Sequence, residues 1–233
     1  MKSFADIMLR DIKAMRLDAI DHDLFDSFEE ATEEISNTFE RDMKAYDLKY
    51  DQIENKINTN YEKFKTYESE EQLRLLDEQI DCERQKDYIR NYLTALAEMK
   101  IIYLFKSLEQ TIKYLVTSVY GNVNTKQFFK WDFAKDFLKS KGIQVSELNG
   151  HLEWTQLMRV NNSIKHEGST NDQIKQIPEF SELVYFDHVS LNTFYKRVHV
   201  KAINFCKIIK EEIKKEWYLF SNERLENLAD EYS

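Results

Sequence analysis

Glycine and proline are almost missing from this sequence. Its 233 residues hold four glycines (Gly121, Gly142, Gly150, Gly168) and one proline (Pro178), and the first 120 contain neither. These residues punctuate turns and sheets. Their absence excludes a hairpin-rich β architecture over that stretch and points to long helices. Cysteine is scarce as well. Cys82 and Cys206 stand far apart with no paired spacing, which reads as two reduced thiols rather than a disulfide framework. No run reaches the ~18 uncharged apolar residues that a membrane span needs. The N-terminal MKSFADIMLRDIK carries acids and lacks the apolar run of a signal peptide. A cytoplasmic chain with no membrane segment is expected. His151, His188 and His199 have no partners at ligand spacing, and His166-Glu167 lacks the second histidine of a zinc helix. No Gly-rich phosphate loop, Walker motif or nucleophile elbow occurs. Neither a metal nor a cofactor is expected.

What the chain does have is apolar mass: 42% hydrophobic and 13% aromatic residues, enough for a substantial core. Net charge is −9. The acidic excess sits in the first 120 residues, whereas the stretch from 121 to 216 is net basic. The overall sign argues against non-specific nucleic-acid binding but leaves a local phosphate contact open.

Periodicity supplies the helices. Ser3 is a candidate cap for a short first helix bearing Ile7, Met8, Ile12 and Met15. Leu24, Phe28, Ala31, Ile35, Phe39, Met43, Tyr46, Tyr50, Ile53 and Ile57 then recur in steps of three and four, the stripe of a long amphipathic helix. A turn is expected between Asn58 and Ser69. A second long run follows to Gly121, polar in its first half and apolar on several sides in its second. Its first half is expected to pair with the ladder as an antiparallel hairpin, and its second half to enter a compact core. Three further helices are expected: near 125–140, ending at Lys141-Gly142; about 151–166, ending at Gly168, with Ser146 a candidate cap upstream; and 190–217, with Ser190 as cap. The predicted fold is therefore all-α. Residues 1–87 form a coiled-coil-like helical arm, and 88–233 form a unit built on four helices, about 90–119, 125–140, 151–166 and 190–217, for which a four-helix bundle is the natural burial.

Within HLEWTQLMRVNNSIKHEG, Trp154, Leu157, Val160 or Asn161, and Ile164 make the core stripe. Arg159, Asn162 and His166 stand at i, i+3 and i+7 and share another face. Arg159 and His166 would lie about 10 Å apart along the axis, with Asn162 between them. His166 falls in the last turn, where the helix dipole favours a cation, and imidazole is the side chain suited to moving a proton near neutral pH.

This stretch resembles the HEPN family of four-helix domains, whose mark is an Arg, four to six residues, then a His on the third helix. Here it is Arg159, six residues, His166, in RVNNSIKH. The flanking WDFAKDFLKSKGIQVSEL and NTFYKRVHVKAINFCKII look like the neighbouring helices of such domains, so the resemblance covers roughly residues 88–217. Many members carry a polar residue directly after the Arg. This chain has Val160 there, followed by Asn161 and Asn162, so either Asn is a candidate assistant. The resemblance implies a metal-independent endoribonuclease acting as a homodimer on RNA, of the kind found in toxin–antitoxin, abortive-infection or other prokaryotic defence systems. Arg159, Asn162 and His166 would be catalytic, and Asn161 and Lys165 would contact the substrate.

Blander readings stand beside this one. Arg159 could pair with Glu153 or Glu167, His166 could simply cap its helix, and Phe128 to Phe137 read as core. A different class of function is also open: a non-catalytic HEPN-like binding or assembly module. In either case the acidic arm is a candidate docking element for a partner protein such as an antitoxin.

Overall fold

One helix of 51 residues, α3 (Glu70–Tyr120), organises the molecule. The computed structural model describes residues 4–18, 23–60, 64, 70–121, 123, 127, 128 and 130–218. Its other helices are α1 (Phe4–Asp18), α2 (Asp23–Thr59), α4 (Trp131–Ser140), α5 (His151–His166) and α6 (His188–Tyr218). Two short 3-10 turns, Val145–Glu147 and Pro178–Phe180, complete the order. The fold is all-α. Among the described residues the only β feature is an isolated antiparallel bridge, Ser169 to Tyr185. No described helix is long and apolar enough to cross a membrane.

α2 and α3 form the antiparallel hairpin expected from the apolar ladder. Ile53, Leu75 and Cys82 are buried between them, with Tyr46, Tyr50 and Ile57 packed alongside. Lys86 is buried at its middle, 3.0 Å from Asp47, 2.7 Å from Glu83 and over the Tyr50 ring. The hydrogen bond that Lys86 donates to Glu83 raises its ammonium above its ordinary value against the cost of burial. The ladder is imperfect: Ile35 is 46% exposed, while Thr32 is 4% exposed and turns its hydroxyl back to the Phe28 and Glu29 carbonyls.

The second half of α3 joins α6 to build the main core. Leu191, Phe194, Val198, Ala202, Phe205, Ile209 and Ile213 of α6 are all fully buried against Ile101, Leu104, Leu108, Ile112 and Leu115 of α3. This is the helical stripe the sequence displays. α5 lies across α3 and α6, and α4 supplies Ala134 and Leu138 to the same core.

Four expectations need correction. First, the boundary at residue 87 falls inside unbroken α3, and α2 runs past it: Phe28 stacks on Tyr103. Second, α1 is not part of the arm. Leu17 is buried in the main core, Lys13 is buried and donates to the Val119 carbonyl at 3.3 Å, and Asp18 pairs with Lys214 of α6. Third, α4 starts at Trp131, not near 125, because Lys130 is extended; Phe128 reaches the core from outside the helix. Fourth, the caps differ. Asp187, not Ser190, caps α6, accepting from the Val189 and Ser190 N–H groups at 2.9 Å each. Gly150, not Ser146, precedes α5. The expected cap Ser3, the turn residues 61–63 and 65–69, and Phe129 lie outside the described residues.

Candidate functional site

α5 is held between two glycines for different reasons. Gly150 has φ +90°, and a Cβ there would stand 2.7 Å from the Lys201 carbonyl oxygen, so the helix start presses directly on the α6 backbone. Gly168, at φ +63°, ends the helix by donating its N–H to the Ser163 carbonyl at 3.0 Å. Between them Trp154, Leu157 and Val160 are buried as the stripe predicts, while Ile164 is half-buried. Two charged contacts fix this helix to α6 from the outside. Lys201 donates to Glu153 at 2.8 Å, and Arg197 donates to the side-chain Oε1 of Gln156 at 2.9 Å. Burial pushes the Glu153 carboxyl up, but the Lys201 hydrogen bond, a backbone N–H and the charges of Lys201 and Arg197 together hold the group below its ordinary value.

The opposite side of α5 faces outward. Arg159, Asn162 and His166 are all exposed there and line one pocket of about 170 Å³. Ser163, buried in the helix, forms part of its floor. The outer side of α5 also carries Leu152 and Thr155, so its residues follow each other at steps of three and four from Leu152 to His166.

The facing wall comes from the segment after the helix: Glu167, Asn171, Gln173 and Ile174. This wall is built rather than loose. Asn171 Oδ1 accepts from the N–H groups of Gln173 and Ile174 at 3.0 Å each, and its Nδ2 donates to Glu167 Oε2 at 2.8 Å. Ser163 Oγ donates to the Ser169 carbonyl at 2.7 Å. Ile174, Ile177 and Phe180 anchor the segment in the core. The Ser169–Tyr185 bridge, the Thr170 N–H donated to the Val184 carbonyl at 3.0 Å, and the Thr170 hydroxyl donated to Leu183 tie its two ends together. Glu179 takes two hydrogen bonds from Arg197, at 2.5 and 3.0 Å.

The two residues expected to touch substrate are placed differently. Asn161 is 1% exposed. Its Nδ2 donates to Asn162 Oδ1 at 3.1 Å, while its own Oδ1 is buried with no partner among the described residues. It therefore orients Asn162 and leaves the Nδ2 of that residue as the end available to donate to an anion. Lys165 is exposed but is not part of the pocket lining; six residues from Arg159, it projects from another side of α5. The pocket wall after the helix is the part the sequence did not announce as functional. Its signal was Asn171, a residue able to close a turn on its own backbone, within what reads as a plain polar loop.

Chemically, the pocket combines one guanidinium, one imidazole, three amides, one hydroxyl and one carboxylate. The guanidinium suits a phosphate, and the imidazole suits proton transfer. Among the described residues no group of three or more His, Cys, Asp or Glu side chains stands close enough to hold a metal ion. Comparison with protein-family models, with curated proteins and with solved structures finds no match to this chain.

Proposed function

We propose that this chain is a metal-independent endoribonuclease of the HEPN type, working in a prokaryotic defence or toxin–antitoxin setting. The observation that carries the reading is that Arg159, Asn162 and His166 line a single solvent-open pocket. Arg159 would bind the scissile phosphate and stabilise its growing negative charge. Asn162, oriented by Asn161, would donate to a phosphate oxygen. In a homodimer, His166 of one copy would take the proton from the ribose 2′-OH as O2′ attacks phosphorus. The P–O5′ bond breaks, and His166 of the second copy would give its proton to the departing O5′. The products are a 2′,3′-cyclic phosphate and a 5′-OH end.

The test is cleavage of single-stranded RNA by purified protein in the presence of a chelator. His166→Ala should abolish it with folding and oligomeric state unchanged. Growth arrest on expression, relieved by Arg159→Ala, is the expected cellular counterpart.

A second reading, a binding or assembly module, is favoured by the arm. Leu73, Leu76 and Ile80 are exposed together on one side of α3. In that case RNA is left intact and a partner protein is retained through the arm, an antitoxin being one such partner. Cleavage that tracks His166 decides for the first reading.

A further inference from the structure

Tyr185 is 71% exposed, the most exposed large hydrophobic side chain among the described residues. Single exposed apolar residues are ordinary, so exposure alone says little. The backbone beneath this one is what sets it apart. Tyr185 is held by the antiparallel bridge to Ser169, and the neighbouring Val184 carbonyl accepts the Thr170 N–H at 3.0 Å. The Ser169 carbonyl in turn accepts from Ser163, which lies in the floor of the Arg159–His166 pocket. Bridged Cα atoms are only about 5 Å apart. The backbone that carries the ring is thus tied to the pocket lining in two hydrogen-bonded steps, through Ser169 to Ser163, on a segment anchored by buried Phe186.

We infer that Tyr185 is a base-stacking residue for single-stranded RNA, seating a nucleotide next to the one whose phosphate lies at Arg159. The inference rests on the ribonuclease reading of that pocket. An aromatic face with no ring contact among the described residues, carried on backbone tied to the wall of a pocket that holds a guanidinium, is the pairing that single-strand readers use: cation for the backbone, ring for the base. Stacking is tolerant of base identity, so Tyr185 should contribute affinity and single-strand preference rather than sequence choice.

The experiment uses the full chain carrying His166→Ala, so that RNA stays intact, and a labelled 12-nucleotide single-stranded RNA of mixed sequence. Fluorescence anisotropy gives Kd. Adding Tyr185→Ala should weaken binding by at least about fivefold, whereas Tyr185→Trp should match the parent. Tyr88→Ala, an exposed tyrosine on the arm, should leave Kd unchanged, and a duplex of the same sequence should show no dependence on Tyr185. Equal Kd for the Tyr185→Ala and parent proteins, or no binding by the parent, overturns the inference. The two readings fail separately. Tyr185-dependent binding without cleavage by the wild type rejects only the nuclease, and cleavage with a Tyr185-independent Kd rejects only the stacking.

Discussion

Phe28 of α2 stacks on Tyr103 of α3, with ring centroids 4.1 Å apart and planes 20° from parallel. The pair lies well beyond residue 87 and fastens the arm to the part of α3 that also builds the main core. Arm and bundle therefore share one helix and are joined at its middle. A double-mutant cycle on Phe28→Ala and Tyr103→Ala, read by urea unfolding, should give a coupling of about 0.5–1.5 kcal/mol. Additive effects would mean that the stack holds nothing together.

The junction of α5 with α6 gives a sharper test. At Gly150 a Cβ meets the Lys201 carbonyl oxygen at 2.7 Å, on top of the positive φ. At Gly168 nothing lies within 4 Å, and only the backbone conformation opposes a side chain. Gly168→Ala should cost about 1–2 kcal/mol and Gly150→Ala clearly more. For a chain of this size each kcal/mol corresponds to about 2–4 °C in Tm. Calorimetry showing equal losses would contradict the close approach.

Acid should weaken the fold through Glu179. Burial pushes its carboxyl up, but the two-pronged hydrogen bond from Arg197, a backbone N–H and the Arg197 charge together hold it below the ordinary value of 4.5. The native state then binds fewer protons than the unfolded chain. The stabilisation is complete above the unfolded-chain value and is lost as pH falls through the lower native value. Urea midpoints of Glu179→Gln should lie below wild type at pH 7 and converge toward it as pH falls below 4.5. Curves that stay parallel would show that the pair adds nothing.

Glu167 is the acid lining the pocket, and it works against an anionic substrate. Glu167→Gln keeps an oxygen for the Asn171 amide, which donates to Oε2 at 2.8 Å, while removing the charge. Affinity for single-stranded RNA should rise by roughly threefold to tenfold at low salt, less at high salt. Unchanged binding would place the phosphate elsewhere.

The helices were legible because apolar spacing and scarce glycine act together. α5 runs from His151 to His166 as the sequence predicts, since Gly150 and Gly168 bracket a clean stripe. Every α6 position in the stripe from Leu191 to Ile213 is buried for the same reason. What stayed hidden depends on distant partners. Helical spacing offers the core stripe Val160 or Asn161 without choosing, and the fold buries both, so that the substrate contact expected of Asn161 is closed off by packing that the spacing does not encode. α1 reads as an arm element until Lys13 and Asp18 meet the ends of α3 and α6. The cap of α6 went to Asp187 over Ser190 because a carboxylate placed before the helix can accept two N–H groups at once. The pocket wall needs Asn171, Ser169 and Tyr185 brought together by pairing across the segment, which periodicity does not encode.

In the proposed function Arg159 and His166 act together on an RNA phosphodiester without a metal. The most direct measurement is mass spectrometry of the new ends after incubating single-stranded RNA with the full chain in chelator. The account predicts 2′,3′-cyclic phosphate and 5′-OH termini, lost by at least about a hundredfold in both Arg159→Ala and His166→Ala, with unfolding midpoints unchanged because both side chains are exposed. Termini of another chemistry, or undiminished cleavage by either variant, would contradict it.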